Sequence, residues 1–284
     1  MDDATFFIVG ANGQLGKALQ AKYPNARSAD ISELDISDAE SVAHFDWSEV
    51  KVILNAAAYT NVDGAETAEG RVAAWKVNAA AVGNLVRAAS EHDLTLVHVS
   101  TEYVFDGTQS PHTEAEPLSP LSVYGQSKAA GDIVISLSSK HYVLRISWLI
   151  GDGNNFVRTM LGLGKKGVSP TVVADQVGRL TFTSELVKAI DHLLTIQAPS
   201  GTYNVSNNGE SASWADITRE IFKQAGYDLT VTDTTTAEYF AGKDGIAPRP
   251  LQSTLALDKI QATGFTSSDW QADLKRYIAK EQAS

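Results

Sequence analysis

The chain has 284 residues, of which 43% are hydrophobic and 20% charged, with a net charge of −11 and an isoelectric point near 5.0. That length suits one large α/β domain or two lobes around a sizeable core, and an acidic chain without a basic cluster argues against a nucleic-acid or anionic-membrane partner. The lack of cysteine excludes a disulfide framework and a thiolate metal site; no stretch reaches the roughly 18 apolar residues of a membrane span, and Asp2-Asp3 is unlike a basic signal segment, so a cytoplasmic protein is expected.

Thr5-Phe6-Phe7-Ile8-Val9 is a continuous aromatic and β-branched run, the pattern of a buried parallel strand. Gly10, Gly13 and Gly16 follow at three-residue spacing, interleaved with Asn12, Gln14 and Leu15. Leu15, Ala18 and Leu19 then open a helical stripe. A strand, a glycine turn and a helix start place backbone N–H groups and the positive helix end where a pyrophosphate can sit. A second strand is expected over residues 26–29, ending at Asp30, 20 residues beyond Gly10. A carboxylate at that distance can accept from the adenosine ribose hydroxyls, which leans toward NADH. Arg27 leaves NADPH open, since a cation there could take a 2′-phosphate. Next, Leu34-Asp35-Ile36 precedes a helix that Ser37 is expected to cap. Asp35 is either an acceptor for the adenine amino group, with Ile36 packing the ring, or a helix-start charge.

Residues 51–55 read as a buried strand running into Ala56-Ala57-Ala58-Tyr59. Small residues at a strand's carboxyl end let a flat cofactor approach the backbone. One long helix is expected over residues 65–92, with Val72, Trp75, Val77, Ala80 and Leu85 on its apolar side and Asn78 as a polar residue within it. Residues 94–99 form the next strand, in which His98 reads as a core histidine rather than a catalyst. Ser100-Thr101-Glu102-Tyr103 ends it. No His, Asp and Glu spacing suggests a metal. A loop rich in Pro and Ser leads to Ser122, a cap for the helix carrying Tyr124 and Lys128. Four residues apart, these two share one helix face. A phenol with an ordinary pKa of about 10 trades protons poorly at neutral pH, and a neighbouring ammonium favours the phenolate. Residues 141–146 give a further strand, and 181–195, 214–225 and 269–280 are helical patterns.

The fold expected is a Rossmann-type doubly wound parallel sheet with a smaller C-terminal substrate-binding lobe. Residues 1–147 would form the dinucleotide-binding lobe, about 174–208 would return to it, and 148–284 would mainly bind substrate, with 227–262 on the substrate side.

Taken together, GANGQLG at 10–16, NAAAYTNVDGAE at 55–66, STEYVFDG at 100–107, YGQSK at 124–128, RISWLIG at 145–151, DQVGRLT at 175–181 and RPLQSTL at 249–255 carry a resemblance over essentially the whole chain. The chain resembles the extended short-chain dehydrogenase/reductases, and among them the dTDP-4-dehydrorhamnose reductase family. The resemblance implies NAD(P)H-dependent reduction of the C4 ketone of a dTDP-sugar. It implies that Tyr124 donates the proton, that Lys128 holds the nicotinamide ribose and tunes Tyr124, and that Thr101 hydrogen-bonds the ketone with Ser100 in support. Asn78 would order the lysine side. Glu102, Tyr103, Trp148, Asn154, Asn155 and Phe156 would face substrate, and Arg179 and Arg249 would meet the diphosphate, guanidinium forks suiting phosphate oxygens. Glu102 stands where the family pattern has aspartate, and Arg179-Leu180-Thr181 replaces a small residue, Pro and Thr. A homodimer, or an epimerase fused or associated, is the partner the resemblance brings besides substrate. Two other readings share the fold: a nucleotide-sugar epimerase or dehydratase, and a non-catalytic nucleotide-binding regulator. A dehydratase wants Thr-Asp-Glu where Tyr103 stands here, and a pure binder has no use for a tuned phenol.

Overall fold

A computed structural model describes residues 2–283. Strands β1 (Phe6–Val9), β2 (Arg27–Ala29), β3 (Val52–Asn55), β4 (Thr95–Thr101) and β5 (His141–Ile146) join the strand Gly201–Val205 in a six-stranded sheet. Its order is Gly201–Val205, β5, β4, β3, β1, β2, and every pairing is parallel. The apolar runs are continuous because both faces are covered. Phe6, Ile8, Val52, Leu54, Val97 and Leu144 turn to one face, under the helices Gln14–Lys22 and Thr183–Thr195. Phe7, Val9, Ile53, Leu96 and Val143 turn to the other, under the helix Ala81–Glu91. The chain runs from β1 to the edge strand β2, then crosses to β3 on the far side of β1. A crevice therefore opens at the carboxyl ends of β1 and β3, where doubly wound sheets bind ligands.

A separate core gathers Ile150, Val157, Phe182, Ile217, Phe222, Trp270 and Leu274 with the helices Phe156–Lys165, Trp214–Ala225 and Trp270–Ala283. The end of the stretch expected on the substrate side turns back: Leu257 and Ile260, with Phe265 just beyond, bury in the sheet's own core, where the short helix Asp258–Gln261 covers the edge strand Gly201–Val205.

Two local expectations fail. Residues 65–92 are not one helix. A 3₁₀ turn Gly64–Glu66, a helix Ala68–Trp75, a π-turn Lys76–Ala80 and the helix Ala81–Glu91 follow one another. The wider π-turn shifts the helix face. Val72 and Trp75 become 68% and 42% exposed, while Asn78 is 1% exposed. Ser37 is not a cap either. Asp38 accepts from the backbone of Glu40 and starts the helix Ala39–Ala43, and the Ser37 hydroxyl donates to Asp35.

Candidate functional site

The glycine turn after β1 is built for close backbone approach. Gly10 has φ +78°, and a Cβ there would lie 2.7 Å from the Ala57 backbone nitrogen. A Cβ on Gly16 would lie 2.1 Å from the Gly10 carbonyl oxygen. Glycine is thus required at both positions, and Gly13 at the end of the turn is the N-cap of the helix Gln14–Lys22. Two hollows meet over it, sharing Asn12, Gly13 and Ala56-Ala57-Ala58. The first, about 440 Å³, is bordered by Gly10, Asp30, Leu34, Asp35, Ile36, Tyr59 and Val77. The second, about 570 Å³, is bordered by Gln14, Leu15, Ser100, Thr101, Glu102, Tyr124, Lys128 and Trp148. The groove runs along the carboxyl ends of β1, β3 and β4, where doubly wound sheets bind dinucleotides.

Asp30 is tied to the turn: one carboxylate oxygen accepts from the Asn12 backbone at 2.9 Å and the other from Ile31 at 2.8 Å. Asp35 accepts from the backbone and hydroxyl of Ser37, which holds its carboxyl below the usual range. Ile36 is buried at the groove wall. Asn78 clamps the other side. Its oxygen accepts from Tyr59 N–H at 2.9 Å, and its amide donates to the Tyr59 carbonyl and the Ser127 hydroxyl, each at 3.0 Å. It thereby joins the segment after β3 to the helix Val123–Ile135.

That helix starts where sequence places it, with the Ser122 hydroxyl accepting from Gly125 N–H. Tyr124 is buried, and the Tyr103 ring packs edge-on at 5.5 Å. The expected acidification of the phenol by Lys128 is not found. Burial pushes the Tyr124 hydroxyl well above its ordinary value, the Glu102 carboxylate adds to this, and Thr101 opposes it only in part. Lys128 instead turns its Nζ to the Val99 carbonyl at 2.6 Å, beside His98 Nε2 at 3.4 Å. Burial lowers it to about 8, against Asp132. Asp132 pairs with Arg145 of β5 at 2.9 Å, both side chains being buried. His98 is the buried histidine that the sequence suggests; Asp132 and Arg145 are members of this cluster that the sequence did not single out. Asp132 had a signal, one helical turn beyond Lys128 on the same face.

Glu102 is buried at the end of β4, its carboxylate accepting from the Thr101 hydroxyl at 2.8 Å. Burial raises it to about 7, with Thr101 opposing. A folded-state value above the unfolded one means stability is fully present below the unfolded pKa near 4.3 and lost as pH rises through 7. Glu102→Gln should therefore be more stable than the parent at pH 8 by about 2–3 kcal/mol. The gap should close below about pH 4. Urea unfolding at both pH values measures it, and a pH-independent gap refutes it.

The residues expected at substrate divide. Trp148 borders the larger hollow with φ +42°, a left-handed backbone that is rare for a bulky side chain, and stacks on Trp214 at 3.8 Å. Phe156 also packs on Trp214 and borders a third hollow of about 340 Å³, together with Tyr239, Phe240 and Arg249. Arg249 is fixed by Asp63 at 2.8 Å and by the Ala247 carbonyl, over the Phe240 ring. Asn154 offers its backbone carbonyl to Gln14, and Asn155 caps the helix Phe156–Lys165 while donating to Gly151, Gly153 and the Tyr277 hydroxyl. Asn155 is thus a structural anchor in this arrangement. Arg179, expected as a cation at a diphosphate, is buried and donates to the Leu255 carbonyl, and it borders none of these three hollows. Among the described residues no helix is long and apolar enough to cross a membrane.

Comparison with known proteins extends these observations. Residues 4–283 match the model of the RmlD substrate binding domain family. The dTDP-4-dehydrorhamnose reductase of Aggregatibacter actinomycetemcomitans is 39% identical over 97% of this chain and 99% of its own length. The crystal structure of a dTDP-4-dehydrorhamnose reductase from Clostridium acetobutylicum superposes with a TM-score of 0.90 at 36% identity, covering 98% of this chain and 99% of that one. That of the Bacillus anthracis reductase, solved in complex with NADP, gives 0.89 at 35% identity over 97% and 98%.

Proposed function

The chain belongs to the RmlD substrate binding domain family, and on that footing we propose that it reduces the C4 ketone of dTDP-4-dehydro-L-rhamnose to dTDP-L-rhamnose with NADPH or NADH. The observation that carries this reading is convergence: Thr101, Tyr124 and Lys128 border the same cleft as the glycine turn. Gly10 and Gly16 let the turn close against the Ala56-Ala57 backbone and under its own helix, since a Cβ at either would collide with backbone there. Gly13, Asn12, Gln14 and Leu15 complete the turn, and Asp30, Asp35 and Ile36 would hold the adenosine end. The cofactor supplies the hydride.

The protein's own part is the proton. Tyr124, held neutral by burial, keeps its proton at neutral pH until negative charge develops on a nearby oxygen, as a general acid should. Thr101 presents a second hydroxyl beside it. Lys128 keeps a cation within reach of the cleft at pH 7, since its value of about 8 lies above that pH. Trp148 and Phe156 offer flat faces to sugar and base, and Arg249 a fork to phosphate oxygens. The same reading takes the enzyme as cytoplasmic, with a dTDP-sugar as its substrate partner and a homodimer or a fused or associated epimerase as its assembly.

The deciding experiment follows NAD(P)H absorbance with dTDP-4-dehydro-L-rhamnose and with other 4-keto nucleotide sugars. Turnover is expected with the first, and no oxidation of either cofactor would sink the proposal. Asp30→Ala should raise KM for NADH about tenfold, the scale of one lost bond to a charged acceptor, and for NADPH by less. Equal effects would mean that Asp30 holds only the turn, through Asn12.

A further inference from the structure

His98 lies directly behind Lys128. Its ring is fully buried on β4, with Nδ1 3.0 Å from Asn55 Nδ2 and Nε2 3.4 Å from Lys128 Nζ. The Asn55 amide has only one orientation that closes, because its Oδ1 accepts from Ala57 N–H at 3.1 Å. Its NH₂ group therefore faces His98, and Nδ1 must be the acceptor. The proton of the neutral ring then sits on Nε2 and points at Lys128. Burial, with Lys128 beside it, keeps His98 from becoming an imidazolium. Lys128 Nζ already donates to the Val99 carbonyl at 2.6 Å. An ammonium has no lone pair, so it meets the His98 N–H donor to donor. A neutral amine closes every bond, donating to Val99 and accepting from His98.

We propose that His98, oriented by Asn55, is a positioning residue that favours the amine form of Lys128 over its ammonium and so decides at what pH this side of the cleft gains its charge. The other groups around Lys128 act on the same balance. On its own helix Asp132 favours the ammonium, but Asp132 is itself engaged by Arg145 from β5. Tyr124 on that helix stays neutral, and Glu102 after β4 titrates at about 7. From β4 it is the His98 N–H that meets Nζ. Only the kinetic consequence rests on the reductase reading.

Two measurements test this without turnover. Nitrogen-15 NMR of the wild-type histidines should find His98 as the Nε2–H tautomer, and the Nδ1–H tautomer would overturn the proposal even if no variant folds. Carbon-13 NMR of the lysine Cε groups, with Lys128→Met to assign the signal, should find Lys128 titrating near 8. In His98→Gln, whose carboxamide oxygen can turn to the ammonium, the midpoint should rise by about one pH unit, a tenfold change in the acid constant. An unmoved midpoint in the folded variant would overturn it. Where the protein turns over as proposed, the alkaline limb of kcat/KM moves by the same amount; a protein without turnover leaves both NMR results standing.

Discussion

Tyr124→Phe should lower kcat on the order of a hundredfold or more, while leaving the Kd for reduced cofactor within about twofold of the parent. The substitution removes one oxygen from a buried ring whose packing against Tyr103, Val123 and Ala65 does not involve that atom. The fold should therefore survive and the loss should be chemical. A split of this kind, with kcat falling and binding kept, is the signature of a group used only at the transition state. The raised pKa sharpens the expectation. The phenol is protonated across the physiological range, so the parent rate should show no acidic or neutral limb assignable to Tyr124. Stopped-flow single turnovers with equilibrium binding would measure both quantities. A rate within a factor of a few of the parent would remove Tyr124 as proton donor and leave Thr101 or Glu102 to supply the acid.

Arg145→Met should cost about 3–5 kcal/mol of stability, the largest effect expected from a residue that does not touch the cleft. Its guanidinium donates to Asp132 and to the Glu114 carbonyl, and lies over the Phe105 ring. Removing it leaves the Asp132 carboxylate buried without its counter-charge, where burial already pushes that group upward. The double variant Arg145→Met with Asp132→Leu should recover most of the loss, because well-packed apolar residues can replace a buried pair at little net cost. Denaturant unfolding of the three proteins makes the cycle. If the single variant lies within about 1 kcal/mol of the parent, the pair is not a structural tie. Asp132 also opposes the burial of the Lys128 charge, so the double variant should lower the Lys128 midpoint.

Much of this was legible in the chain because it depends on neighbours in sequence. The apolar runs gave the strands, since a strand covered on both faces has no polar alternation to hide. The glycine spacing gave the turn, and Tyr124 and Lys128 shared a helix face by helical geometry alone. Even the Ser122 cap could be read, as its partner Gly125 is three residues away.

The protonation states and the direction of each side chain came only with the tertiary structure. Lys128 was expected to lower the phenol; the fold buries both and aims the amine at the Val99 carbonyl and His98 instead. Nothing within the YGQSK stretch encodes β4 at its back. Arg179, a diphosphate cation by resemblance, lies buried against Leu255, 76 positions away. The π-turn at Lys76–Ala80 breaks a helical stripe that is continuous in the sequence, and it carries the buried Asn78 between Tyr59 and Ser127. Local patterns by themselves determine which elements form and which chemical groups the chain carries. Desolvation and long-range contacts, which exist only once distant segments pack, decide what those groups do.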